Sequence, residues 1–482
     1  ELIHYLYKDR FNCIGEGAEW YEFNNHRWRE GASLVLFKLI STDVPKYHTR
    51  LIKYYESIKP EIENAKTAKI LMHINNVIFA ATRAIKHLEN MQLRNSIMQN
   101  VAATFYLDDR DFEKKLDANK YLLGFENGIY DLKTHVFRDG LPSDYVSMSV
   151  GYDYISKPNE YNKDLTEFLN SIQPCEEDRD FLLKHTSSGL CGVNREEICV
   201  VLSGKGRNGK TKYKDLVGLT LGCYFVTFDS NILTYPRPAP SAPQADLIAF
   251  KKKRFALGSE PEQKDGAIKT SFFKFITGGE MIPCRGLYDK KITEFEPTHK
   301  IGLLCNKIPN MDENDDEAVW DRTRCIEFPT KFVDNPDQPN QRKINRDLKE
   351  SLPLWKQDFM LVLIEKYKEY QKTGLITTQK IMQFTKSYKD DNDIYLQFLN
   401  DCTTASKTHV HMSTLYDCFT TWFRRDSPNQ KIPSNKIFCA GLRNHVDMEK
   451  VKIDGKTLLG VKHLTVWGDN ANTSCDASDD SN

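Results

Sequence analysis

Ser203-Gly204-Lys205-Gly206-Arg207-Asn208-Gly209-Lys210-Thr211 fits the pattern G-x-x-x-x-G-K-[ST] without a mismatch. The apolar run Ile198-Cys199-Val200-Val201-Leu202 leads into it and predicts a buried strand; the residues after it predict a helix. Strand, glycine-rich turn and helix in that order make a phosphate-binding loop. The glycines let backbone N–H groups turn inward, and the helix N-terminus favours an anion. This reading places Gly204, Lys205, Gly206, Arg207, Asn208 and Gly209 in a phosphate cradle. Lys210 then reaches β- and γ-phosphates and Thr211 holds Mg²⁺. The expected ligands are ATP and Mg²⁺.

Downstream, further strands are predicted at 224–228, 254–258, 300–305 and 324–328, with helix between them. That alternation predicts an α/β nucleotide-binding core. A nucleotide hydrolase of this kind needs an acid beyond a second buried strand, to hold the metal or activate water. Glu260 and Glu262 follow the strand Phe255-Ala256-Leu257-Gly258, and Glu260 is also the candidate metal ligand. A solvated acidic pair is the alternative. Asn306 ends the strand Ile301-Gly302-Leu303-Leu304-Cys305, where it can orient water against a γ-phosphate or simply make a turn. Trp320-Asp321-Arg322-Thr323-Arg324 precedes the last strand; Arg322 there can reach a neighbouring subunit's γ-phosphate, or make a surface salt bridge.

Between these motifs, residues 274–291 predict a helix ending at Gly278-Gly279 and then a β-hairpin. Lys274, Arg285, Tyr288, Lys290 and Lys291 lie on or beside it. Lysine meets phosphate as a point charge and tyrosine stacks or bonds sugar; an edge hairpin with exposed lysines is the alternative. From Lys251 to Lys307 there are twelve Lys/Arg against seven acids, although the whole chain has formal net charge +0. A basic segment beside a nucleotide site points to nucleic acid more than the balanced total does.

The 482 residues suffice for about three domains. No apolar run reaches the ~18 residues a membrane span needs, and no signal peptide is evident, so an intracellular, non-secreted protein is expected. Twelve cysteines without a C-x-x-C pair predict reduced thiols, with Cys199 and Cys305 as core residues. The missing initiator Met suggests a fragment or a processed chain, and an N-terminal domain absent from it is an expectation.

The combined motif order (P-loop, Glu strand, Lys274-x-x-Thr277-Gly278-Gly279 with a basic hairpin, strand-Asn306, Trp320-x-Arg322) resembles the superfamily-3 helicases. More narrowly, it resembles the C-terminal part of the replicative primase-helicases of poxviruses, asfarviruses and related large DNA viruses, and of some satellite phages. Residues 125–132 are similar to that family's accessory region, and the likeness is good over roughly 120–330. It implies an AAA+ ring, usually a hexamer, with ATP sites between subunits and hairpins tracking one DNA strand, typically 3′ to 5′. It carries Asn306 to the sensor, Arg322 to the arginine finger, and Arg285, Lys290 and Lys291 to the DNA hairpin. Two departures bear on this. Ser259 stands before Glu260 where paired acids are usual, and Asp321 takes the place of a first Arg, which keeps Arg324 a rival finger.

The expected architecture is therefore an α/β P-loop AAA+ core at 166–335. A mostly helical region at 1–118 and an accessory region at 119–165 precede it. A helical connector at 336–392, a winged-helix-like module at 393–468 and an acidic disordered tail at 469–482 follow. The expected partners are single-stranded and forked DNA, further copies of the chain in a ring, an upstream primase domain, and polymerase or processivity factors, with no membrane. The expected location is the host cytoplasm, at viral replication sites. The rival functions are a nucleotide-switched DNA-binding or loading ATPase that does not unwind, and a P-loop kinase.

Overall fold

The computed structural model describes residues 1–15, 19–64, 68–235, 242–259, 267–287, 292–306, 309–312, 317–426, 432–453 and 455–466. Its centre is a parallel five-stranded sheet: β1 (Cys199–Ser203), β2 (Phe225–Phe228), β3 (Phe255–Gly258), β4 (Lys300–Cys305) and β5 (Thr323–Glu327), in the spatial order β5-β1-β4-β3-β2. All four pairings are parallel, and Leu304 of β4 stands opposite Leu202 of β1. Strands buried on both faces need near-continuous apolar sequence, and β1, β3 and β4 are buried throughout.

The two-residue period of a strand divides these side chains between two cores. Val200, Leu202, Leu257, Leu304 and Ile326 point to one face, where Tyr213, Phe359 and Leu363 meet them. Cys199, Val201, Ala256, Cys305 and Cys325 point to the other, against Phe272, Phe273, Ile276 and Trp320. The expectation that Cys199 and Cys305 are core residues holds: both are fully buried. Among the described residues no cysteine forms a disulfide.

The five predicted strands are present with ends shifted by at most a residue. Within the expected helical connector, helix Leu348–Thr373 ends at Gly374, which takes φ +67. Upstream, helices Asn162–Ile172 and Glu176–Ser188 pack on the first core face; the former runs across position 165/166, and Leu165 and Phe168 belong to the same core as the sheet.

The N-terminal region is a three-stranded antiparallel sheet followed by helices Ser33–Thr42, Val44–Asn64, Ala68–Glu89 and Met91–Asp108. The hairpin between its second and third strands turns at Asn25-His26: Asn24 pairs with Arg27, and both turn residues take positive φ, as a two-residue hairpin loop demands. The helical stretch breaks at Asn90, whose carboxamide oxygen caps the next helix by accepting from the N–H groups of Gln92 and Leu93.

A second small sheet (Leu122–Gly124, Ile129–Asp131, Val136–Arg138) is fastened to the central one by buried polar groups. Arg254, just before β3, donates to the carbonyls of Leu122 and Leu190, and its guanidinium lies 4.3 Å from the Tyr224 ring centroid. Lys300, at the start of β4, donates to Cys191 O at 2.6 Å and Val193 O at 2.7 Å. Burial holds its pKa down at about 8. Close by, His185 and His299 are buried. Burial first, and the Lys300 charge after it, lowers the His185 pKa to about 3; burial likewise lowers His299 to about 4.

These histidines are neutral in the folded chain and ordinary in the unfolded one. The unfolded state therefore binds more protons between pH 6.5 and 4, and stability present above pH 6.5 is lost as pH falls through that window. Together the pair is expected to cost on the order of 5 kcal/mol between pH 6.5 and 4.5. Urea midpoints against pH test this: His185→Gln should remove about half of the slope, and an unchanged slope would contradict the assignment.

The last unit runs helix Ile394–Cys402, strand Thr403–His411, helices Met412–Asp426 and Asn435–Leu442, then strands Met448–Ile453 and Lys456–Val466. Its antiparallel sheet places Lys456–Val466 between the other two strands. Strands Met448–Ile453 and Lys456–Val466 form a hairpin with Gly455 at φ +80 in its turn. The tail expected at 469–482 lies outside the described residues. Among the described residues no helix is long and apolar enough to cross a membrane.

Candidate nucleotide and nucleic-acid site

The loop 204–209 joins β1 to helix Lys210–Leu221. Gly206, Arg207 and Gly209 all have positive φ, so the chain curls into a concave turn. Two glycines are required by their surroundings. A Cβ on Gly204 would fall on the Asn208 carboxamide and within 2.9 Å of Phe328 O; one on Gly209 would come within 2.5 Å of Ile172 Cγ2. The loop is moored on both sides, by Gly204 N–H to Cys305 O (3.2 Å) and by Phe332 N–H to Arg207 O (2.7 Å).

Lys210 is 5% exposed. Its Nζ donates to Gly204 O at 2.7 Å, Asn208 Oδ1 at 3.0 Å and Asn306 Oδ1 at 3.3 Å. Asn306 follows β4, whose last residue, Cys305, is the register partner of Ser203 in β1. The parallel pairing therefore delivers a carboxamide from 96 residues downstream to the loop lysine. Thr211, Lys205 and Arg207 are exposed at the mouth. Asn208 Nδ2 is buried against Gly204 and has no hydrogen-bond partner among the described residues. These features fit a polyphosphate.

β3 lies beside β4, so the chain leaves it on the side of the sheet that carries Asn306. Glu260 and Glu262 themselves lie outside the described residues.

Arg322 sits at the opposite end of the sheet. Thr323 opens β5 opposite Cys199, whereas the loop begins beyond Ser203, opposite Glu327. Five residues of strand at ~3.3 Å each separate Arg322 from the level of its own loop by about 16 Å, more than an arginine side chain spans. Arg322 instead donates to Lys274 O at 2.7 Å and pairs with Glu197 Oε2 at 3.3 Å. Arg324 is spent on local structure: it donates to Asp321 O (2.8 Å), Thr323 O (2.7 Å) and Thr377 Oγ1 (3.2 Å), and burial lowers its pKa.

The predicted basic hairpin has two paired strands, Ile282–Cys284 and Thr293–Phe295, with Cys284 opposite Thr293. Lys274 lies on the preceding helix, Thr270–Thr277, and Arg285 begins the connection, half-buried. Tyr288, Lys290 and Lys291 fall outside the described residues. In the last unit, Trp422 and Phe423 are buried in its core and Trp422 Nε1 bonds Asp401 Oδ2 at 3.1 Å, while Arg424 and Arg425 are exposed.

Residues 1–174 match the family model described as D5 N terminal like. The whole chain is similar to proteins of large DNA viruses. The protein named putative helicase L207/L206 of Acanthamoeba polyphaga mimivirus is 34% identical over 465 residues, covering 92% of this chain and 47% of that protein. Putative helicase 121R of Invertebrate iridescent virus 3 is 28% identical, covering 87% of this chain and 49% of that protein. Putative primase C962R of African swine fever virus (isolate Tick/Malawi/Lil 20-1/1983) is 22% identical, covering 76% and 40%. The chain thus spans about half the length, or less, of these relatives.

The D5-like segment takes part in the site directly. Its last helix, Asn162–Ile172, puts Ile172 against Gly209. Sequence reading missed this contact, and it missed Glu197. Glu197 has φ +51 and holds Arg322, and nothing in its local sequence marks it.

Proposed function

We propose that this chain is the motor part of a DNA helicase of viral replication. On this reading it is an AAA+ ATPase of the superfamily-3 type that assembles as a ring and moves along single-stranded DNA. The observation that carries the ATPase reading is the meeting of Lys210 and Asn306 over a loop whose positive-φ turn presents backbone donors. The names of the viral relatives and the basic hairpin support DNA as the track.

In this reading the loop backbone from Gly204 to Gly209 binds the polyphosphate, Lys210 holds the β- and γ-phosphates, and Thr211 holds Mg²⁺. Bound MgATP supplies the phosphoanhydride bond, with the metal neutralising phosphate charge. Asn306 and the carboxylate of Glu260, or of Glu262, orient the attacking water. Arg322, too far from its own loop, serves the loop of the next copy. Lys274, whose carbonyl holds Arg322, lies on the helix that leads into the hairpin, so hairpin movement on DNA and arginine placement share one element. The last unit is winged-helix-like in its order of helices and strands, and its Trp422 and Phe423 serve packing.

The test is separation of a forked duplex. Lys290→Ala with Lys291→Ala should leave basal ATPase within about twofold and abolish DNA stimulation and unwinding, because phosphate contacts are lost while the nucleotide site is untouched. Unwinding at the wild-type rate would refute the hairpin mechanism. ATP hydrolysis by the wild-type chain on DNA without strand separation would favour a switched loading ATPase.

A further inference from the structure

A cavity of about 590 Å³ opens beside the glycine-rich loop. Arg207, Gly209 and Lys212 form the wall it shares with the loop, and the walls beyond carry Phe168, Phe332 and Trp355. We infer that this cavity seats the nucleoside of the bound triphosphate, with Phe332 as the ring that the base packs against.

Four observations lead there. The cavity is continuous with the phosphate cradle, so a chain of phosphates held by the loop has its outer end at the cavity mouth. Its size falls within the ~300–1,000 Å³ of small-molecule sites. It has aromatic walls: Phe168 and Trp355 are buried, with ring centroids 5.6 Å apart, whereas Phe332 keeps part of its surface open. An inorganic anion would need neither the volume nor the rings; a nucleoside uses both. Finally, the position of Phe332 is fixed relative to the phosphates, since its own N–H bonds Arg207 O at 2.7 Å. Asp164 and Glu167 from the D5-like segment, with Arg342 and Lys343 from beyond Phe332, also line the cavity and give it both acceptors and donors for the hydroxyl and amino groups of a nucleoside. The D5-like segment therefore supplies part of the nucleotide site.

The inference rests on the loop being a triphosphate site, and the experiment separates the two. Equilibrium binding of ATP and of tripolyphosphate is measured on the full chain with Mg²⁺. Phe332→Ala should raise the Kd for ATP by about tenfold, in line with the loss of a stacked base, and leave that for tripolyphosphate within about twofold. Phe332→Tyr should restore ATP binding. Ile344→Trp, which fills the cavity from its exposed side, should weaken ATP by a similar factor and spare tripolyphosphate. If the variants weaken both ligands equally, or leave ATP binding unchanged, the nucleoside lies elsewhere and the inference is wrong. If the wild-type chain binds neither ligand, the triphosphate reading of the loop falls with it.

Discussion

Lys210→Ala is expected to lower ATP turnover by about 10³-fold, the scale for removing a cationic clamp from a reacting phosphate. The side chain is nearly enclosed, and its ammonium bonds Gly204 O, Asn208 Oδ1 and Asn306 Oδ1. Alanine removes the charge proposed to meet the γ-phosphate and separates the loop from Asn306. The loop itself should persist, because the bonds that moor it, Gly204 N–H to Cys305 O and Phe332 N–H to Arg207 O, involve only backbone. Steady-state ATPase with a thermal-unfolding control measures the effect. Turnover near wild type in a folded variant would remove the loop from the chemistry.

The second large effect belongs to Arg322. Arg322→Ala alone is expected to cost about 10³-fold or more in turnover, as loss of an arginine finger does. It stands at the start of β5, far from its own loop, and in the proposed ring the effect acts between copies. Mixing Arg322→Ala with Lys210→Ala chains should therefore restore activity. In a randomly mixed head-to-tail ring, about a quarter of interfaces at equal ratio join an intact loop to an intact arginine. ATPase against mixing ratio should pass through a maximum; a flat baseline at every ratio would refute action across an interface. Arg324→Ala should behave differently. Its donors are engaged by Asp321, Thr323 and Thr377, so stability should fall while turnover per folded chain holds.

How much of this was legible beforehand follows from what each feature depends on. The strands at β1, β3 and β4 are short apolar runs between turn residues, and burial on both faces leaves that record in composition. The loop is legible because glycine at positive φ and close approach are sequence-local demands. Asn306 could be found because it ends such a strand. By contrast, the Arg254 and Lys300 anchors look like ordinary surface cations in sequence; only the fold brings the Leu122, Leu190, Cys191 and Val193 carbonyls to them. Glu197 as the partner of Arg322, and Phe168, Phe332 and Trp355 around one cavity, join residues far apart in the chain, and no periodicity encodes such a meeting. The Asn90 cap cannot be told in sequence from Asn75 and Asn76, which sit inside a helix without breaking it.

The central claim is that one copy completes the nucleotide site of the next. Particle mass by light scattering, with and without ATP and single-stranded DNA, tests it most directly on the Glu260→Gln chain, which should hold nucleotide without turning it over. The account predicts a closed assembly of several chains, six in the expected ring, when both ligands are present. A particle that keeps the mass of a single chain while ATP and DNA are bound and the wild-type chain hydrolyses ATP at full rate would contradict it.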